Sequence, residues 1–351
     1  MESTLIAVDT AKLVFEVAEA GSSGRVVRRL RLNRAQFHEY LVTRANARFV
    51  LEACGGAHHW ARLMQKAGHS VSLLPVPYVC AYRRRNKTDR ADCLALLEAA
   101  KNPEILPVPV KSTEHQAIQG LHRIRSAWME TRTARINTLR GLLREFGIVL
   151  PVGAATALQR LPEALDDDAI PPMLRVSLQA LLDEIHQLQK RIVEVEHQLE
   201  AISRQNPVIE HLRDISGIGL LTATALYASA NDAQHFRSGR HLASWLGLTP
   251  REYSSGHVRK LGGISKRGDR YVRMLLTHGA RAVLLRAGQL QREGRALNGL
   301  QRWALALKQR TNHNKATCAV ANKLARIAWA TWRHGTVFDP NQAVAPAVTA
   351  A

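Results

Sequence analysis

Nine apolar residues, Leu174, Leu178, Leu181, Ile185, Leu188, Ile192, Val195, Leu199 and Ile202, follow one another at alternating intervals of four and three. Only a helix keeps such a seam on one side, and a 3.5-residue repeat stays facing a partner helix over its whole length. The seam predicts a coiled-coil arm, formed within the chain or between two copies. The plainer alternative is an amphipathic helix packed in its own subunit, which usually carries a wider apolar stripe. The arm is acidic: residues 163–202 hold 9 Asp and Glu against 3 Lys and Arg. It is therefore not the surface on which a polyanion would lie.

The rest of the chain carries the opposite charge. Its 351 residues include 49 Lys and Arg against 29 Asp and Glu, a net charge of +20. Residues 251–333 alone hold 18 Lys and Arg and 3 Asp and Glu. Such a surplus points to a phosphate-rich partner, because neutralising phosphates is where clustered cations contribute affinity. With 46% hydrophobic residues the chain has material for real cores, and a largely disordered polyelectrolyte is excluded. Aromatics are only 5%, too few for an extended platform that stacks single-stranded bases. No apolar run approaches the roughly 20 residues that span a bilayer, and the N-terminus lacks the layout of a signal peptide. Cys54, Cys80, Cys93 and Cys318 are scattered without zinc-ligand spacing, which suits reduced thiols in the cytoplasm. A cytoplasmic protein with no membrane partner is expected.

Residues 1–110 read as an α/β domain with a mixed sheet. Leu5–Val8, Val14–Val17 and Val26–Leu32 are short strands separated by tight turns, an antiparallel start. Helical patterns at 35–47 and 57–67 then alternate with strands at Arg48–Leu51 and Ser70–Leu74, so helices are expected to cover the sheet. Residues 111–205 read as a long basic helix up to about 147, a linker marked by Pro162, Asp166–Asp168, Pro171 and Pro172, and the coiled-coil arm. Residues 206–337 read as a mainly α-helical domain interrupted by a Gly-rich basic loop, and 338–351 as a disordered tail.

Four carboxylates stand out in the first domain. Asp9 ends the first strand, Glu52 ends the fourth, and Asp89 and Asp92 lie three apart at the start of a helix, hence on one face. Brought together they would repel unless compensated. Mg²⁺, an oxygen-seeking cation, would resolve that repulsion and activate phosphodiester chemistry. Read singly, Asp89 and Asp92 also fit helix-terminal charges paired with Lys87 and Arg90. A second candidate, Ile215-Ser216-Gly217-Ile218-Gly219, would let Gly217 and Gly219 bring backbone amides close to a phosphate; the alternative is a packing turn between helices. The third is the stretch from Gly247 to Gly268, where Ser254 and Ser255 sit among Arg251, Arg259, Lys260, Lys266 and Arg267. A serine hydroxyl there has cations to stabilise charge on an attacked phosphate. Further phosphate contacts are expected from Arg83, Arg84, Arg85 and Lys87, from Arg123, Arg132, Arg135 and Arg140 on the long helix, and from Arg273.

Taken in order, Asp9 in I-A-V-D-T-A-K, Glu52 in L-E-A-C-G-G, and Asp89 and Asp92 in N-K-T-D-R-A-D, followed by G-L-T-P, S-S-G and G-G-I-S-K-R-G, resemble the DEDD-type insertion-sequence transposases. The resemblance runs from about residue 4 to 335. It implies a ribonuclease H-like, Holliday-resolvase-like N-terminal domain whose carboxylates hold Mg²⁺. It also implies a serine in the C-terminal domain that attacks DNA to form a phosphoserine link; by motif position this is Ser255, with Ser254 second. Further implications are donor and target DNA as partners, a noncoding bridge RNA as guide, and a prokaryotic, nucleoid-associated setting. Site halves drawn from different protomers would make the coiled coil the device for a dimer or tetramer. A metal-dependent resolvase-like nuclease without a covalent intermediate, and a non-catalytic nucleic-acid-binding protein, are the competing readings.

Overall fold

The computed structural model describes residues 4–83 and 88–341, and its contacts divide the chain into two units, 1–112 and 113–351. In the first unit, β1 (Leu5–Thr10), β2 (Val14–Ala20) and β3 (Val26–Asn33) form an antiparallel meander. Next come α1 (Arg34–Thr43), β4 (Arg48–Glu52), α2 (Ala57–Lys66), β5 (Ser70–Leu74), α3 (Val76–Cys80) and α4 (Asp89–Ala99). The sheet order is β3-β2-β1-β4-β5, with β4 parallel to both β1 and β5. This is the mixed, helix-covered sheet that the sequence pattern predicts.

Strand alternation sorts the two faces. Ile6, Val8, Phe15, Val17, Phe49 and Leu51 bury one face against Phe37 and Leu41 of α1 and Trp60 and Met64 of α2. Phe15 stacks on Phe37 at 4.5 Å, and the Trp60 edge meets Phe15 at 4.7 Å. The intervening residues Ala7, Ala18 and Val50 face Cys93, Leu96 and Leu97 of α4. Small side chains on that face let α4 sit close to the sheet. The same alternation carries Asp9 and Glu52, two residues beyond Ala7 and Val50, onto the α4 face.

The second unit is mainly helical. It begins with α5 (Thr113–Glu145), α6 (Ala154–Leu165) and α7 (Pro172–Gln205), and continues through α8 (Pro207–Arg213), α9 (Leu220–Ala230) and α10 (Gly239–Trp245). A short hairpin, β6 (Pro250–Glu252) and β7 (Leu261–Ile264), precedes α11 (Arg270–Arg292), α12 (Gly299–Arg310) and α13 (His313–His334). Helices α9, α11 and α13 enclose the core of this region with α8, α10 and α12.

The 4-3 seam of α7 is covered inside the chain. Leu178, Leu182 and Ile185 pack on Ile136, Leu139 and Leu143 of α5, while Val195 and Leu199 pack on Ile118 near its other end. The two long helices are therefore antiparallel. Leu182 is buried where the 4-3 series has the partly buried Leu181, and the seam remains a narrow stripe filled by α5 of the same chain. An assembly of several copies would have to use a face other than this seam.

Two expectations need correction. The stretch around Pro162 is not a bare linker: α6 runs through it, because Ala157, Leu161 and Leu165 recur every four residues and bury one side. That burial outweighs the hydrogen bond that Pro162 forfeits. The tail does not detach at 338 either. Phe338 packs on the helical core, and Leu300 N and Gly299 N donate to Pro340 O and Asn341 Oδ1 at 3.1 Å each. The remainder of the tail, 342–351, lies outside the described residues.

Candidate functional site: a carboxylate face and a serine hairpin

β1 and β4 run parallel with Val8 opposite Leu51, so Asp9 and Glu52 occupy neighbouring positions one step further on. Asp92 enters from α4 on the same face. It is 6% exposed, and its Oδ1 accepts from Arg83 Nε at 2.6 Å. Burial opposes the Arg83 charge, but Asp92 and then Glu52 outweigh it and raise the guanidinium pKa. Asp89 stands one turn earlier and is exposed. Asp9, Glu52 and Asp92 thus share a face, with Asp89 at its outer edge.

Among the described residues, no three His, Cys, Asp or Glu side chains stand close enough to grip a metal ion as they are. An all-carboxylate set nevertheless has the chemistry that a hard, oxygen-seeking divalent cation requires. Arg83, expected on phosphate, is instead the positive charge on this face. Arg84, Arg85 and Lys87 lie outside the described residues. One carboxylate escaped the sequence reading. Glu16 pairs directly across from Asp9 in the β1–β2 ladder, is 8% exposed, and has Arg90 Nε 3.8 Å away. The signal was available, since a tight hairpin after Asp9 fixes which β2 residue faces it.

In the second unit the serine stretch is a hairpin tip rather than a loose loop. Pro250 pairs with Ile264 and Glu252 with Leu261, Tyr253 N donates to Lys260 O at 2.9 Å, and Ser255 and Val258 exchange backbone bonds of 3.2 and 3.1 Å. Gly256 turns the chain with φ +57°, a left-handed value that suits glycine. Residues 251–260 are all exposed. The two serines differ in their bonding. Ser254 Oγ donates to Glu252 Oε1 at 2.7 Å and accepts from Lys260 N at 3.3 Å. That Ser254 bond, with Arg259 Nε at 3.3 Å, holds the Glu252 carboxyl below the usual carboxylate range. The Ser255 hydroxyl has no protein hydrogen bond among the described residues and lies in the exposed tip beside Gly256.

The base of the hairpin is fastened to the helical core. Ser265 N donates to Thr249 O at 2.8 Å and Lys266 N to Gly247 O at 3.1 Å. Lys266 adopts φ +57°, a costly conformation for a residue with a side chain. Arg273 Nη1 donates to Leu246 O and Arg267 O, both at 2.9 Å. Arg273 therefore ties loop to helix. Arg251, Lys260, Lys266 and Arg267 are exposed, whereas Arg259 already pairs with Glu252.

The arginines of the long helix are likewise engaged within the chain. Arg132 Nη1 donates to Gln189, Arg135 Nε to Glu184 at 2.7 Å, and Arg140 Nη2 to the carbonyls of Pro151 and Gly153 at 2.6 and 2.9 Å. These arginines bind α5 to α7 and to its following loop; Arg123 remains exposed. Gly217 has a packing role too. With φ +94°, its missing Cβ would lie 2.7 Å from Val283 Cγ2, and a Cβ on Gly279 would lie 1.9 Å from Gly217 O. The turn exists to let α11 approach, while Gly219 is exposed at the start of α9.

A mixed sheet with carboxylates on one face is thus followed by a helical unit that carries a serine hairpin among cations. Comparison with known proteins supplies the family. A DEDD transposase model of the IS110 type matches residues 6–148, and a model described as "Transposase IS116/IS110/IS902 family" matches residues 209–295. The chain is 41% identical over 97% of its length to a probable family 20 transposase of Pseudomonas aeruginosa, all of which is covered. It is 38% identical over 93% of its length to the transposase for insertion sequence element IS1111A of Coxiella burnetii, covering 88% of that protein. Against the IS1328 transposase of Yersinia enterocolitica the identity is 35%, covering 96% of this chain and 98% of the relative. The chain belongs to the IS116/IS110/IS902 family and is an insertion-sequence DNA transposase. No helix among the described residues is long and apolar enough to cross a membrane.

Proposed function

We propose that the chain cuts and exchanges DNA strands through a phosphoserine intermediate, in a Mg²⁺-dependent reaction directed by a noncoding bridge RNA. The observation that carries this reading is the asymmetry between the two serines. Ser254 is committed to Glu252 and stiffens the hairpin, whereas Ser255 offers its hydroxyl at an exposed tip ringed by Arg251, Arg259 and Lys260. In the step we propose, Ser255 Oγ bonds to phosphorus as one phosphorus–oxygen bond of the DNA breaks. The serine proton passes to solvent and the departing DNA oxygen takes up a proton, so the number of phosphoester bonds is unchanged. The nearby cations stabilise the charge that gathers on the phosphoryl oxygens.

On the ribonuclease H-like sheet that the family likeness suggests, Asp9, Glu52, Asp89 and Asp92 would hold the divalent cation. When bound it would polarise the phosphate and the reacting oxygens. Those carboxylates would orient it, and Arg83, which donates to Asp92 at 2.6 Å, would have to give that carboxylate up. Assembly into a dimer or tetramer belongs to the same reading, on a face other than the α7 seam. The bridge RNA is supported by the family likeness and by the surplus of exposed cations.

The test is direct: chain, Mg²⁺, co-purified RNA and DNA ends are incubated and the products resolved under denaturing conditions. A protein–DNA adduct is expected. Free 5′-phosphate ends with no adduct would instead establish a hydrolytic resolvase-like nuclease, and no cleavage under any metal a binding protein. Sequencing RNA that purifies with the chain tests the guide; absence of one discrete species would remove that part.

A further inference from the structure

Beside the serine hairpin lies a groove of about 1120 Å³, the roomiest cavity described within the helical unit. Pockets that hold whole small molecules run to roughly 1,000 Å³, so this one has space for a nucleotide together with its neighbouring phosphates. The hairpin contributes Arg251, Tyr253 and Lys266, and α12 and α13 contribute Trp303, Lys315 and Arg326. No Asp or Glu is among its lining residues.

Two features make the groove more than a basic surface. Trp303 packs on the helical core and carries Lys323 Nζ over its ring, 5.0 Å from the centre, so a base entering the groove would displace that ammonium from the indole face. Tyr253 is 64% exposed although it is a large ring. Asn314 also lines the groove, as does Asn312, whose Oδ1 caps α13 by accepting from Lys315 N at 2.8 Å; an Asn amide can read a base edge by donating and accepting together. A whole duplex offers its bases only edge-on, whereas a ring wall needs a free π-face. Composition spoke against an extended stacking platform, and the structure concentrates two of the few aromatics here.

We propose that this groove takes one unstacked nucleotide of the DNA strand engaged by the serine hairpin, its base against Trp303 and its flanking phosphates on Lys315 and Arg326. The proposal rests on reading the chain as acting at that hairpin. It gives the enzyme a means of gripping a strand end while strands are exchanged, since a base taken out of the stack is free only where the duplex has opened.

Cys318, half-buried, lines the same groove and reports its occupancy. The full chain is mixed with a labelled single-stranded DNA, with the same sequence as duplex, or with the same sequence as RNA. Affinity is read by fluorescence anisotropy, and alkylation of the Cys318 peptide by mass spectrometry at equal occupancy. Single-stranded DNA is expected to slow Cys318 alkylation at least fivefold and duplex less than twofold. Trp303→Ala should weaken single-strand binding about tenfold, as loss of one stacked base does, and duplex binding less than twofold. Trp303→Phe should recover most of the loss, which a merely unfolded variant would not. Bound single strand with unchanged Cys318 reactivity overturns the groove and spares the function. Equal protection by duplex makes it a phosphate contact only, and protection by RNA alone assigns it to RNA; either result overturns the proposal. A chain that binds none of the DNAs, alone or with its co-purified RNA, overturns both the proposal and the strand-transfer reading.

Discussion

At the scale of single residues, chemistry separates side chains that look alike in sequence. Ser254 and Ser255 are adjacent, yet one is bonded to Glu252 and the other has no hydroxyl hydrogen bond among the described residues. Ser254→Ala is expected to slow adduct formation less than tenfold, because it loosens the hairpin without removing the nucleophile; quantifying adduct over time checks this. His122 offers a second residue-scale test. It is 4% exposed, bonded to Tyr271 Oη at 3.1 Å and Thr224 Oγ1 at 3.0 Å. Burial, then the charge of Arg125, pulls its pKa down to about 4. Between pH 6.5 and about 4 the unfolded chain takes up a proton that the folded one refuses, so stability falls as pH falls through that window. The loss should be on the order of 2–3 kcal/mol. Denaturant titrations at pH 7 and pH 4.5 should show a smaller pH dependence for His122→Gln than for the parent; an equal dependence would dismiss the histidine as its source.

At the scale of elements, the sequence revealed periodicity but not which neighbour would use it. The five strands and the Asp9/Glu52 placement follow from alternation alone, since apolar runs end in carboxylates at matching positions. Helix α6 stayed hidden because Pro162 reads as a breaker until Leu161 and Leu165 find α5 and α7 to pack on. Arg132, Arg135 and Arg140 read as a phosphate-binding stripe because a helix sequence cannot tell solvent from an acidic partner helix. Their donors are taken up by Gln189, Glu184 and two carbonyls, of which Glu184 alone carries a compensating charge. Consequently Arg135→Ala should leave the salt dependence of DNA binding unchanged, whereas Lys260→Ala should reduce the slope by about one. Glycine gives the sharpest packing test. Gly279→Ala forces a methyl onto the Gly217 carbonyl and should cost more than about 2 kcal/mol in a denaturation experiment. A loss below 0.5 kcal/mol would mean the α11 approach is less tight than described.

At the scale of the whole molecule, a net charge of +20 resolves into distinct parts. The carboxylate face is acidic, Glu184, Glu196 and Glu200 of α7 pair with Arg135, Arg125 and Arg213, and exposed cations gather around the serine hairpin and its groove. That groove was not legible in the sequence, because Tyr253, Trp303 and Lys323 are separated by long stretches and meet only once α12 and α13 pack. The carboxylate set was legible in order but not in its present pairing, since nothing in N-K-T-D-R-A-D indicates that Arg83 will take Asp92. Asp9→Asn is expected to abolish strand transfer while leaving RNA binding within twofold, measured on the same preparation. The central claim is covalent chemistry at Ser255. The most direct measurement is mass-spectrometric mapping of the protein–DNA adduct formed with Mg²⁺, co-purified RNA and DNA ends. The account predicts a phosphodiester-linked nucleotide on Ser255 and no adduct in Ser255→Ala; an undiminished adduct in that variant, or cleavage with no adduct in the parent, would contradict it.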